Sequence, residues 1–143
     1  MRPLNIQLPC GSVGGVQLLR IHHAAIIAAD YGKSKAFYTE ILGLRILAEN
    51  YRAERHSYKL DLALPDGSRI ELFSFPEPPP RPSRPEAAGL RHLAFAVPDV
   101  EQALAELRGR GVAVEEVRVD EYTGKRFAFF FDPDELPLEL YEE

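Results

Sequence analysis

Cysteine is nearly absent. Cys10 stands alone among 143 residues, so no disulfide can close within the chain and no structural zinc site built on thiolates can form. Nothing in the sequence therefore favours an oxidising compartment. Long apolar runs are missing too: none approaches the roughly 20 residues of a membrane-spanning helix, and the N-terminus lacks the charged-then-apolar layout of a secretory signal. A cytoplasmic protein is expected. Charge of one sign is nowhere concentrated, since 17 basic and 22 acidic residues leave a net charge of -5 without a block of like charges. That balance argues against nucleic acid or a membrane as the main partner, and a small molecule fits better.

What is present is a chain repeated on itself. At 143 residues, 45% of them apolar, it is the size of one ordinary domain and can bury about two-thirds of its unfolded surface, whereas half of it would be marginal alone. Two segments open alike, HAAIIAAD from His23 to Asp30 and HLAFAVPD from His92 to Asp99. In each, a histidine begins an alternating apolar run that stops at an aspartate suited to capping a helix. Helical patterns then lead to Gly43 and Gly111, each placed as a helix stop. The offset between copies slips there from 69 to 68 residues, which a one-residue shortening of the second helix explains. The later landmarks keep the new offset: Pro65 and Asp66 match Pro133 and Asp134, and Glu71 matches Glu139.

Residues 1–19 mix prolines with glycines and read as a flexible arm in which Cys10 is a bystander. Residues 20–143 read as one domain made of a first module (20–75), a proline-rich connector (76–88) and a second module (89–143). The first module predicts a strand at 21–29, a helix at 31–42 and strands at 45–51, 57–64 and 69–75. The second predicts a strand at 90–97, a helix at 99–109 and strands at 112–119, 126–132 and 136–141. Alternation sets His23, Ala25, Ile27 and Ala29 on one face of the first strand and His22 with Ala24, Ile26 and Ala28 on the other. The repeat selects His23 as the partner of His92, because the position of His22 is Arg91 in the second copy.

The same alternation turns Glu71 away from Ile70 and Leu72, and Glu139 away from Leu138 and Leu140. One face of the sheet then carries His23, Glu71, His92 and Glu139 beside small residues such as Ala25 and Ala94. A single strand histidine or glutamate is ordinarily structural, but four matched by duplication describe a site. Close carboxylates repel and are costly to desolvate, a conflict that a divalent cation resolves. Two nitrogen and two oxygen donors suit zinc, nickel, cobalt, iron or manganese. Such an ion polarises a bound oxygen pair while a carboxylate removes a carbon-bound proton, which is proton transfer beside a carbonyl through a metal-bound enediolate. Arg84 in the connector, with Arg81, and Lys125 or Arg126 in a glycine-containing hairpin loop are candidates to meet an anionic substrate group.

Taken together, HAAIIAAD and HLAFAVPD, FYTEILGL, and the IELF and LELY strands resemble the vicinal oxygen chelate superfamily over residues 21–143. That superfamily includes glyoxalase I, methylmalonyl-CoA epimerase, extradiol dioxygenases, fosfomycin-modifying transferases and bleomycin resistance proteins. ELFSFPEPPPRPSRPE, YTGKRF and DPDELPLELYE narrow the likeness to small bacterial glyoxalase-like proteins. The resemblance implies an α+β fold of two tandem βαβββ modules forming a curved, barrel-like mixed sheet around a metal site, and pairing into a homodimer. It makes His23, Glu71, His92 and Glu139 the ligands, as in the His-Glu-His-Glu set of bacterial glyoxalase I, with Glu139 or Glu71 as the base. Ile27 and Phe75 replace an arginine and an asparagine that contact glutathione in bacterial glyoxalase I, which weighs against glutathione conjugates. Glu135 replaces the usual glycine of the DPDG turn. The expected activity is a lactoylglutathione lyase-like lyase or isomerase with its thiol open. The alternatives are a thiol transferase or dioxygenase of the same superfamily, or a metal-free protein that binds an antibiotic.

Overall fold

The computed structural model describes residues 15–143, so Cys10 and most of the anticipated arm lie outside the described residues. The first module runs β1 (Ala24–Ala28), α1 (Tyr31–Ala36), a π-helical turn (Phe37–Ile41), β2 (Arg45–Arg52), a short 3-10 turn (Ala53–Arg55), β3 (Ser57–Ala63) and β4 (Arg69–Ser74). The second runs β5 (Leu93–Val97), α2 (Val100–Gly109), β6 (Arg118–Val119), β7 (Arg126–Phe131) and β8 (Pro137–Glu142). Each module forms a four-stranded mixed sheet, ordered β1-β4-β3-β2 and β5-β8-β7-β6, with β1 parallel to β4 and β5 parallel to β8. The two sheets are separate, so the expected barrel-like sheet is a pair of open sheets rather than a closed barrel.

The caps do what the sequence implies. Asp30 accepts from the Lys33 amide at 3.1 Å and Asp99 from the Gln102 amide at 3.0 Å, satisfying donors that the first turns would otherwise leave unpaired. Gly43 and Gly111 end the helices with φ of 72° and 80°, a backbone region that glycine enters without steric cost. Between cap and stop the two helices differ. The first widens into a π turn, in which Leu42 N–H donates to the Phe37 carbonyl at 3.0 Å, while the Thr39 hydroxyl takes the Lys35 carbonyl at 2.7 Å. A π turn holds one residue more than the α-helix it interrupts, and this is where the extra residue of the first copy resides.

Two strands start later than their patterns suggest, at Ala24 rather than residue 21 and at Leu93 rather than residue 90. The parallel ladders begin with Ala24 opposite Ile70 and Leu93 opposite Leu138. Just before Leu138 stands Pro137, which has no N–H to extend the ladder. The strand expected at 112–119 is reduced to a bridge between Val114 and Phe130 and the two-residue β6.

One hydrophobic core joins both modules. Ile26, Phe37, Leu60 and Leu72 from the first belong to the same cluster as Leu104, Phe130, Leu138 and Leu140 from the second. A buried polar clamp crosses it: the Tyr38 hydroxyl donates to Asp132 Oδ2 at 2.7 Å, and Asp132 Oδ1 accepts from the amides of Asp134 and Leu136. Burial pushes the Asp132 carboxyl up, against the lowering effect of these donors, and pushes the Tyr38 phenol up strongly.

Candidate functional site

Strand register assembles the same pair twice. Ala25 lies opposite Glu71 in the first sheet and Ala94 opposite Glu139 in the second, with each histidine two residues ahead of its alanine. The Nε2 of His92 stands 2.8 Å from Glu139 Oε2, and His23 Nε2 contacts Glu71 Oε2. Because Ile70, Leu72, Leu138 and Leu140 fill the core, both glutamates occupy the opposite faces of their sheets. The alanines leave room for the imidazoles to lie across the strands.

The two pairs do not meet within one chain. Among the described residues there is no group of three or more His, Cys, Asp or Glu placed to share a metal ion. The shared core accounts for this, since it takes up the inner faces of both sheets and leaves each pair on a face turned away from it. Each half still offers one imidazole nitrogen and one carboxylate oxygen in mutual contact, donors that suit a borderline or hard divalent cation. Two such halves, brought together, would present four donors of this kind.

The surroundings of the halves differ. Lys59 Nζ lies 2.8 Å from Glu71 Oε1 and 3.3 Å from Asp61 Oδ1. That ammonium holds the Glu71 carboxyl below the usual carboxylate range despite its burial, and the two carboxylates hold the lysine up in turn. In the second module the matching ladder positions are Phe127 and Phe129. His92 packs edge-on against Phe129 with ring centroids 5.1 Å apart, and its Nδ1 is buried with no hydrogen-bond partner. Lys59 was not among the residues singled out from the sequence. The signal was there: strand alternation from Ser57 puts Lys59 and Asp61 on the face of Glu71.

His22 corrects another expectation. It does not turn away from His23; the two Nδ1 atoms are 2.9 Å apart and the rings meet edge to face. Both residues precede the first rung of the ladder, so strand alternation does not govern them. If His22 Nδ1–H donates, His23 accepts at Nδ1 and keeps its Nε2–H for Glu71.

Of the candidate substrate contacts, Arg84 and Arg81 line a cavity of about 460 Å³ that also includes His92 and Phe129. Lys125 and Arg126 lie at the β6–β7 turn. Arg126 pairs with Glu101 of α2 at 3.4 Å, and its amide donates to Glu142. Neither lines that cavity or the apolar one of about 640 Å³ bordered by Pro78 to Pro82 and β1. Glu135 takes a left-handed φ of 63° where glycine would sit at ease, and Glu139 keeps its register opposite Ala94 and Phe129.

Two tandem βαβββ units with a matched histidine and glutamate in each define the class. Residues 20–140 match the model of the Glyoxalase/Bleomycin resistance protein/Dioxygenase superfamily, and the chain belongs to that family. It is 61% identical over 126 residues to the uncharacterized protein YwkD of Bacillus subtilis, covering 88% of this chain and 98% of that one. The crystal structure of SMU.1112c superposes with a TM-score of 0.84 at 52% identity, covering 88% of this chain and all of the other. More distantly, the trypanothione-dependent glyoxalase I of Leishmania major gives a TM-score of 0.70 at 28% identity over 88% of each chain. Among the described residues no helix is long and apolar enough to cross a membrane.

Proposed function

We propose that this protein is a divalent-metal-dependent lyase or isomerase of the glyoxalase I type, moving a proton next to a carbonyl in a small oxygenated substrate in the cytoplasm. The observation that carries this reading is the repeated placement of His23 with Glu71 and of His92 with Glu139 in equal register. The protein then acts as a homodimer, in which His23 and Glu71 of one copy join His92 and Glu139 of a second, so that two chains make two sites. Enzymes among the relatives support the class of chemistry.

A bound zinc, nickel, cobalt, iron or manganese ion would polarise a substrate oxygen pair and acidify the neighbouring C–H. Glu139 is the base in this reading. Its Oε2 faces His92, while its Oε1 makes no hydrogen bond or ion pair with another described residue, leaving that oxygen to accept a proton from carbon and return it. Glu71 is committed to Lys59 and serves as an anionic ligand. Half-buried Phe127 and Phe129 limit the water around Glu139.

A second reading, a metal-free small-molecule binding protein, draws on one observation: the Lys59 ammonium already satisfies Glu71. Elemental mass spectrometry on protein purified without affinity metal or chelator separates the two. Near one divalent ion per chain, together with exchange of a substrate carbon-bound proton in deuterated water, is the expected result. No metal, and none taken up on titration with nickel, zinc, cobalt or manganese, would overturn the enzyme.

A further inference from the structure

The cavity beside His92 lies between the connector and the second sheet, and its 460 Å³ falls in the range of metabolite sites. Phe129 and Phe131 form an apolar wall, and the rim carries four arginines, Arg81, Arg84, Arg91 and Arg118. Two are neutralised in place: Arg91 Nε is 2.9 Å from Glu86 Oε1, and Arg118 Nη2 is 3.0 Å from Glu115 Oε2. Arg81 is tied to the chain through one amino group, its Nε being buried without a partner among the described residues. Its Nη2 donates to the carbonyls of Leu90 at 2.7 Å and Arg91 at 3.2 Å, which fastens the connector to the entry of β5.

Arg84 differs from these three. It is exposed, three residues beyond that fastening, and makes no hydrogen bond or ion pair with another described residue. Glu135 is the one carboxylate of the lining left without an arginine among the described residues, so four arginines against Glu86, Glu115 and Glu135 leave one positive charge in excess. That excess sits in a chain whose net charge is -5. A guanidinium offers a planar fork that matches a carboxylate or phosphate, and its anchoring backbone is already held.

We infer that Arg84 anchors the anionic end of the substrate, and that the substrate class is a small acid: a carboxylate or phosphate at Arg84, an apolar body along Phe129 and reacting oxygens toward His92. The placement of the reacting end rests on the proposed function; the anion site does not. The chemistry also separates Arg84 from Lys125 and Arg126, which carry the same charge but do not line the cavity.

Calorimetric titration of the full chain, metal-free and zinc-loaded, with benzoate, phenyl phosphate and benzamide tests this. At least one of the two anions is expected to bind tenfold or more tightly than the neutral amide in both forms, and amide NMR shifts are expected around His92, Arg118 and Phe129. Arg84→Ala is expected to abolish the preference, with an unchanged thermal melt because the side chain is exposed, whereas Lys125→Ala keeps it. A preference for benzoate or for phenyl phosphate names the headgroup. Equal binding of benzamide, an unaffected Arg84→Ala protein, or shifts confined elsewhere would overturn the inference. Anion preference without any metal uptake upholds the anion site and sinks the proposed function, while metal uptake without anion preference does the reverse.

Discussion

Replacing Tyr38 with phenylalanine tests how the two modules are held together. The tyrosine is wholly buried, and its hydroxyl is one of three donors to Asp132, whose carboxylate is only 5% exposed. The substitution keeps the ring and its packing on Phe37, so little apolar burial changes and the loss falls on a hydrogen bond to a charged acceptor. Such bonds are worth about 1.5–3 kcal/mol, and the substitution leaves Oδ2 without its protein donor. Tyr38→Phe should therefore destabilise the fold by about 2 kcal/mol, or roughly 6–8 °C in melting temperature at this chain length. Denaturant unfolding of both proteins measures it. The pH dependence follows from the raised Asp132 carboxyl. A group whose folded value is raised contributes stability that is full below its ordinary value of 3.8 and is lost as pH rises through the folded value. Loss of the Tyr38 donor raises Asp132 further, so the deficit should shrink as pH falls from 7 toward 4. A deficit under about 0.5 kcal/mol at pH 7, or one that grows in acid, would refute the assignment of Tyr38 as a charge-assisted clamp.

Glu139→Gln should slow substrate proton exchange by about 10²- to 10⁴-fold, the usual worth of a general base, as read by deuterium incorporation. An unchanged rate would shift the role to Glu71. Lys59→Met should raise the titration midpoint of Glu71 in metal-free protein, followed by carbon-13 NMR of its carboxyl, because the lysine is the largest cause of its lowering. Since a lowered folded value contributes stability above the ordinary 4.5 and loses it as pH falls through the folded value, the variant should differ most from wild type above pH 4.5 and converge below it. Glu135→Gly should stabilise the chain by about 0.5–1 kcal/mol, relief of a left-handed Cβ exceeding the entropy that glycine costs, and a lower melting temperature would contradict the strain.

The sequence by itself determined the repeat, and with it most of the architecture. Helix caps at Asp30 and Asp99, stops at Gly43 and Gly111 and the alternation that faces Glu71 away from Leu72 are local rules, each decided within a few residues, and the structure keeps them. The slip in offset was legible as an extra residue, but its form as a π turn was not, because the pattern of apolar spacing does not distinguish a widened turn from a longer helix. Tertiary structure alone decided where the ladders begin. His22 turned against His23 because its would-be strand has no partner before Ile70, and partnership is a property of two strands rather than one. It also decided that Lys59 reaches Glu71, that Arg81 ties the connector down beside Arg84, and that His23 with Glu71 lies apart from His92 with Glu139. A periodic pattern says which face a residue takes, whereas the packing of both modules on one core decides which faces can meet.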